Sequence, residues 1–107
     1  MTQDSLPPIV EQVARKYPTV WEAYNRLGQA AALVGALDVK SERLLKLAIS
    51  VGGRLEGAVR SHVRRGRAVG VTREQMEQVA LLAVTTIGWP SALAALAWID
   101  DELQKAG

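Results

Sequence analysis

His62 is the single histidine of this 107-residue chain, and imidazole is the side chain best suited to proton transfer near neutral pH. Helical spacing places it beside Ala58, Val59, Gly66 and Val69, which are all small or apolar. We therefore expect the ring on the inward side of a helix, where it could act as a general base. The alternative is a core or interface histidine that is satisfied by a backbone carbonyl. Because the chain has no cysteine and no second histidine, we expect neither a metal site nor a cofactor.

A catalytic histidine needs a carboxylate that orients its ring or shares its proton, and two glutamates are candidates for this role. Glu56 lies six residues before His62 on the same predicted helix, which puts it on the opposite side. Glu42 can approach His62 only if its own helix packs against that of His62, and it is the candidate catalytic carboxylate. For both glutamates the alternative role is to complement a helix dipole from the first turn. The next residue, Arg43, has a planar guanidinium suited to holding a substrate carboxylate.

Basic residues are concentrated in the middle of the chain. Residues 40–73 carry nine basic side chains against two acidic ones, a net charge of +7, whereas residues 1–39 sum to −1 and residues 74–107 to −4. Arg60, Arg64 and Arg67 share one helical stripe, while Arg54 and Arg65 point elsewhere. One interpretation is phosphate binding, and the other is a solvated or inter-subunit face that pairs with the acidic helix ends. The second is favoured because no aromatic residues interleave the arginines, so nucleic-acid binding is not expected.

Proline, glycine and capping residues divide the chain into about six helices, and no segment shows the sustained alternation of a strand. Thr72 and Gln75 form a capping-box pattern, Gly70 is suited to end the preceding helix, and Asp38 or Ser41 can cap the third helix. The last helix is expected to fray after its acidic run at residues 100–102. The sequence predicts an all-α fold, with helices over roughly residues 8–17, 20–33, 43–51, 55–69, 73–87 and 90–102.

The length predicts a single domain over residues 1–107. Val79–Ile99 carries no charge and is long enough to span a bilayer, but Gly88-Trp89-Pro90 interrupts it. Two buried helices joined by a tight turn are therefore expected, and no membrane segment. Met1–Pro8 lacks the basic and apolar regions of a signal peptide, so a cytoplasmic protein is expected.

The last two predicted helices are apolar on more than one face. Residues 92–99 are alanine, leucine, tryptophan or isoleucine throughout, and they cannot all face one small core. A second subunit would bury the surplus apolar surface. The sequence therefore predicts a homo-oligomer.

Three segments in order resemble the carboxymuconolactone decarboxylase family, which includes the alkylhydroperoxidase D-like proteins. They are Ser41-Glu-Arg-Leu-Leu-Lys-Leu-Ala-Ile-Ser-Val, then Arg60-Ser-His-Val-Arg-Arg with Gly70-Val-Thr-Arg-Glu-Gln-Met, and Gly88-Trp-Pro-Ser-Ala, close to the family's G-x-P-x-A turn. The resemblance implies an alkylhydroperoxidase D-like bundle of long antiparallel helix pairs that assembles as trimers or hexamers, with its site near subunit contacts. It also divides the domain into N-terminal helices over residues 1–36 and a family core over residues 37–100.

The resemblance also bears on chemistry. Redox members of the family carry a C-x-x-C pair that ends four residues before the histidine, and Leu55 and Ala58 stand at these positions here. Cysteine-dependent peroxidase activity is therefore not expected. The family's upstream glutamate falls on Arg43, with Glu42 one residue off register, and the decarboxylase members usually carry an acidic residue in place of Ala58. What carries over residue by residue is His62.

Two functional hypotheses follow from these residues. The first is a decarboxylase-like (lyase) enzyme that acts on a small carboxylate or lactone, in which His62 and Glu42 are catalytic and Arg43 binds the substrate. The alternative is a non-catalytic oligomeric scaffold or small-ligand-binding protein of the same fold.

Overall fold

A computed structural model describes residues 6–106 of the chain. Within these residues it contains six α-helices and no strand, which confirms the predicted all-α fold. The helices are α1 Pro8–Lys16, α2 Pro18–Ala32, α3 Val39–Gly52, α4 Glu56–Ala68, α5 Arg73–Ile87 and α6 Trp89–Ala106. The signal-peptide interpretation concerned Met1–Pro8, and the first five of these residues lie outside the described part.

Side-chain caps start two of the helices where the sequence indicated. At the start of α3, the Ser41 N–H donates to Asp38 Oδ2 at 3.2 Å and the Ser41 hydroxyl donates to Asp38 Oδ1 at 2.6 Å. At the start of α5, the Gln75 N–H donates to Thr72 Oγ1 at 3.1 Å, and the Thr72 N–H donates back to Gln75 Oε1 at 2.9 Å. The predicted capping box is confirmed. A cap of this kind contributes on the order of 1 kcal/mol.

The α3 and α4 helices end where the sequence predicts, but the left-handed residue that follows α3 is not a glycine. Gly70 follows α4 with a φ of +89°, a conformation that glycine adopts at little cost, as predicted. The α3 helix ends at Gly52, also as predicted, but the left-handed residue that follows is Arg54, with a φ of +56°. Its guanidinium donates to Ser91 Oγ at 2.9 Å through Nε and to the Ile87 carbonyl at 3.4 Å through Nη2. These bonds tie the α3–α4 connection to the α5–α6 turn and offset the unfavourable backbone conformation.

The predicted fraying of the last helix is wrong, because α6 continues to Ala106. Its acidic residues do not lie free at a helix end. Asp100, Asp101 and Glu102 each accept a hydrogen bond from an arginine of α4 or α5. Paired in this way, the acidic run stabilises the helix packing instead of ending the helix.

The chain divides into two compact units, with the boundary between Leu37 and Asp38. The first unit holds α1 and α2, which pack on each other, and no residue of either helix is buried. The second unit holds α3 to α6 and contains the hydrophobic core. The expectation of one domain over residues 1–107 stays a prediction.

The core of the second unit is built from one face of each of its four helices. The α4 helix packs against both α3 and α6, and α5 packs against α6 and α3. Val59 and Val63 are the buried face of α4, one turn apart, so the residues between them are directed towards its flanks. The buried apolar residues are Leu47, Val51, Val59, Val63, Val71, Met76, Ala80, Ala92, Ala95, Ile99 and Leu103.

The long uncharged stretch at residues 79–99 is two helices, as predicted. The α5 helix ends at Ile87, Gly88 has a φ of +95°, and α6 begins at Trp89. None of the helices within residues 6–106 is both long and apolar enough to cross a membrane.

Candidate functional site

His62 lies in the middle of α4 and is half-buried, between the buried positions Val59 and Val63 and the exposed Arg65. Its ring nitrogen Nδ1 is completely enclosed, yet it has no hydrogen-bond partner within the described residues. Nδ1 therefore forms no hydrogen bond with a backbone carbonyl of the kind that satisfies a core histidine. A buried polar atom without a partner costs on the order of 1–3 kcal/mol, and such atoms in folded proteins are few.

The surroundings of His62 favour the neutral imidazole. Burial is the larger cause, and repulsion from Arg43, Arg65 and Lys46 adds to it, so that the pKa of His62 is lowered from 6.5 to about 4. At neutral pH the ring is unprotonated and can accept a proton. It is a weak base as long as these three cations face it without a compensating anion.

The packing of α3 against α4 brings Arg43 to His62. Arg43 lies in the second turn of α3 with its side chain only 14% exposed, and its positive charge acts on the imidazole. Arg43 Nη2 lies 3.3 Å from Glu42 Oε2, so the neighbouring carboxylate partly neutralises the guanidinium. The candidate substrate-binding residue is thus near enough to the candidate base for its charge to lower the pKa of the imidazole.

Glu42 contacts Arg43 and not His62. No hydrogen bond joins its carboxylate to the imidazole within residues 6–106, and its side chain is 26% exposed. Glu42 also lies in the first turn of α3, where its charge complements the helix dipole. In this arrangement its direct effect is on the charge of Arg43.

Lys46 and Arg65 belong to the surroundings of His62, but the sequence reasoning did not select them. Lys46 follows Arg43 by three residues on α3, and Arg65 follows His62 by three residues on α4, so each shares a helix face with the residue already chosen. This spacing is the signal that could have identified them. The sequence separated Arg65 from the stripe of Arg60, Arg64 and Arg67 but did not connect it with His62.

The arginine stripe of α4 faces α6 and is used within the protein. Arg60 Nη1 lies 2.6 Å from Asp101 Oδ2, and Arg64 Nη1 lies 3.0 Å from Glu102 Oε2. Arg67 donates to the Leu103 carbonyl at 3.0 Å. The acidic end of α6 thus supplies partners for the basic stripe, in agreement with the favoured interpretation of these charges.

Two further observations limit the chemistry of the site. The positions of the family's redox pair are Leu55, which is exposed at the start of α4, and the half-buried Ala58. Among residues 6–106, no group of three or more histidine, cysteine, aspartate or glutamate side chains is arranged to hold a metal ion. The residues present near His62 are suited to binding an anion and moving a proton.

Comparisons with known proteins agree with this architecture. An uncharacterized protein from Haemophilus influenzae is 37% identical over 51 residues, which make up 48% of this chain and 45% of the relative. The matched segment thus spans less than half the length of that protein. The family model described as "Carboxymuconolactone decarboxylase family" matches residues 18–101, from the start of α2 to the acidic run of α6. The chain belongs to the carboxymuconolactone decarboxylase family.

Proposed function

We propose that this protein is a carboxymuconolactone decarboxylase-like enzyme, a lyase that acts on a small carboxylate or lactone by proton transfer at His62. The observation that carries the proposal is the arrangement of the half-buried imidazole beside Arg43, in a chain of this family. Because the sequence has no cysteine, we expect no cysteine-dependent peroxide reduction from it.

In the proposed reaction, Arg43 holds a carboxylate of the substrate through its guanidinium. The bond between the reacting carbon and its carboxylate breaks, carbon dioxide leaves, and the electron pair stays on the substrate. In each turnover His62 first takes up a proton from solvent and then delivers it to this electron pair, so that the product is completed and the neutral imidazole is restored. The delivery uses Nε2, because Nδ1 is enclosed. In this proposal Glu42 tunes the charge on Arg43 and so sets how firmly the carboxylate is held.

The test is turnover of carboxymuconolactone by the purified protein, measured beside His62→Gln and Arg43→Gln. We expect His62→Gln to lower kcat by about 100-fold or more, the contribution typical of a positioned acid or base. Arg43→Gln should mainly raise KM. Arg26→Gln, which removes an exposed arginine of α2, is the matched control and should leave turnover unchanged. Equal turnover by the wild type and His62→Gln, or none by either, would remove His62 from the mechanism.

The alternative is a non-catalytic protein of the same fold that binds a small ligand or serves as an oligomeric scaffold. One observation favours it: a histidine whose pKa is lowered to about 4 is a weak base at neutral pH. Binding of carboxymuconolactone without any release of carbon dioxide would support this alternative. It would also leave Arg43 as the residue on which the affinity depends.

We further propose a homo-oligomer, a trimer or a hexamer. Large apolar side chains that are exposed in the second unit supply a surface to be buried: Leu45, Ile49, Leu55, Leu81, Leu82, Trp89 and Leu93. Light scattering coupled to gel filtration tests this, and we expect a mass of three or six times 11.6 kDa. A single species of 11.6 kDa at micromolar concentration would contradict it.

A cytoplasmic location stays a prediction from the sequence. It predicts that the protein is recovered in the cytosolic fraction when cells of its source are broken and fractionated. Recovery with the membrane or periplasmic fraction would contradict it.

A further inference from the structure

The side of α4 that faces α3 collects positive charge without pairing most of it. Lys46 and Arg65 form no ion pair within the described residues, and Arg43 has only its chain neighbour Glu42. By contrast, Arg60 and Arg64 on the same helix are bonded to carboxylates of α6. Lys46 and Arg65 are exposed and partly screened by water, but with Arg43 they form a local excess of positive charge that acts on one imidazole and attracts anions.

A second, independent observation concerns the imidazole on which these cations act. The enclosed Nδ1 of His62 has no hydrogen-bond partner, so the imidazole is held in place without its polar atom being satisfied. Unsatisfied buried polar atoms are rare and mark His62 as a candidate functional group, and because Nδ1 is enclosed, a ligand held by the cations would meet the ring from the Nε2 side.

From these two observations we propose that Arg43, Lys46 and Arg65 bind an oxyanion carrying two negative charges, and that its binding is coupled to uptake of a proton by His62. The inference deepens the proposed function, on which it rests for placing the substrate beside His62. It adds Lys46 and Arg65 as binding residues and assigns His62 a charge that depends on the ligand.

The coupling follows from the charges around His62. Without a ligand, burial first, and then repulsion from Arg43, Arg65 and Lys46, hold the pKa of the imidazole at about 4. A bound dianion cancels this repulsion and adds an attraction of its own, so the pKa rises towards its ordinary value of 6.5. By linkage, the dianion must then bind more tightly as the pH falls. An anionic substrate would in this way charge the same histidine that delivers its proton.

The other charged groups near His62 do not supply that anion. Glu42, on α3, is 3.3 Å from Arg43 and offsets part of one cation. The carboxylates of α6, the other helix that packs on α4, are bonded to Arg60, Arg64 and Arg73. Glu56, at the start of α4, is bonded to Arg60 at 3.1 Å. Of the three cations, Lys46 and Arg65 are therefore fully available to a ligand, and Arg43 is available in part.

Sulfate is the probe for this proposal, because it stays a dianion between pH 5.5 and pH 8 and every change in its affinity reports on the protein. His62 is the single histidine, so its ring signals in an NMR spectrum need no assignment by mutation. We expect saturating sulfate to raise the pKa of His62 from about 4 towards 6.5, and the Kd of sulfate to be about tenfold lower at pH 5.5 than at pH 8. Sodium chloride at matched ionic strength should produce neither effect.

Single-charge variants locate the binding site. Lys46→Gln and Arg65→Gln should each weaken sulfate binding several-fold, whereas the matched control Arg26→Gln on α2 should bind sulfate like the wild type. An unchanged pKa of His62 at saturating sulfate, equal affinity at the two pH values, or equal losses in all three variants would each overturn the proposal. Circular dichroism of every variant at both pH values ensures that the folded state is compared.

The chemical source of the dianion is identified at pH 8, where inorganic phosphate and succinate both carry about two charges. Tighter binding of succinate assigns the site to a dicarboxylate, and tighter binding of phosphate assigns it to a phosphate group. Failure of both to bind better than chloride contradicts the proposal. These readouts do not depend on turnover. If sulfate raises the pKa of His62 but the protein releases no carbon dioxide, the proposed enzyme activity is rejected and the anion site is supported.

Discussion

The two flanks of α4 carry the same type of side chain and use it differently. On the flank that faces α6, Arg60 and Arg64 form ion pairs of 2.6 and 3.0 Å with Asp101 and Glu102. On the flank that faces α3, Arg65 has no such partner within the described residues and lies near His62 with two cations of α3. The first flank is a completed network, while the second has positive charge in excess.

In our proposal this difference separates structural from functional arginines on one helix. The paired charges contribute to stability, whereas the unpaired charges near the half-buried imidazole attract an anion. Stability and ligand binding should therefore respond to mutations on opposite flanks.

The largest loss of stability is expected on the α6 flank from Glu102→Gln. The Glu102 side chain is only 9% exposed and is bonded to both Arg60, at 3.3 Å, and Arg64, at 3.0 Å. Removal of its charge leaves two partly buried guanidinium groups with less compensation, and we expect a loss of about 3 kcal/mol in the free energy of unfolding. Urea unfolding at pH 7 measures it.

Glu22→Gln is the matched control for this variant, because Glu22 is exposed on α2. It should change stability by less than about 0.5 kcal/mol. A loss from Glu102→Gln no larger than that of the control would show that the α6 flank contributes little to stability, and the comparison of the two flanks would fail.

The fold was largely predictable because its signals are local. Asp38, Thr72 and Gly70 each act within one turn of the chain, and all three perform the role that their residue types indicate. The last helix was predicted too short for the opposite reason. Its acidic run looks unfavourable in sequence, and its arginine partners come from positions about 27 to 41 residues away.

The candidate site was predictable only in part. His62 is singled out by its residue type, and Arg43 by a guanidinium suited to a carboxylate at the position of the family's upstream glutamate. The distance from α3 to α4, however, is set by packing of the core. The spacing of Lys46 from Arg43 indicates a shared face of α3, but only the tertiary packing of α3 on α4 lets the charge of Lys46 act on His62. The same holds for the unpartnered Nδ1, since the lack of a bond depends on every surrounding helix.

A smaller effect is expected from acid on the α3 flank. In the unfolded chain His62 has its ordinary pKa of 6.5, whereas in the folded chain burial first, and then repulsion from Arg43, Arg65 and Lys46, lower the pKa to about 4. Between these values the unfolded chain binds the proton more readily, so stability must fall as the pH drops from 6.5 to 4. Because the ring is half exposed, we expect this contribution to be about 1–2 kcal/mol.

The comparison of the wild type with His62→Gln isolates this contribution. Urea unfolding at pH 7 and at pH 4.5 should show a smaller loss in the variant, since glutamine does not titrate. The α6 flank weakens in a lower pH range. Its bond with Arg60 lowers the pKa of Asp101 from 3.8, so that pair is lost as the pH falls below this value. Equal acid sensitivity of the two proteins above pH 4 would contradict the assignment to His62.

The smallest and sharpest test uses two adjacent arginines that face different flanks. Arg64→Gln removes a 3.0 Å ion pair with Glu102 and should cost about 1 kcal/mol, because Arg60 still pairs with that carboxylate. Arg65→Gln should change stability by less than about 0.5 kcal/mol, because its side chain is exposed and has no partner within residues 6–106.

The pKa of His62, measured by NMR titration, should respond to Arg65→Gln and not to Arg64→Gln. Arg65→Gln removes one of the cations that hold the pKa down and should raise it, while Arg64→Gln should leave it unchanged. If both variants affect stability and the His62 pKa alike, the two flanks of α4 form one electrostatic unit, and no separate anion site can be assigned to the flank that faces α3.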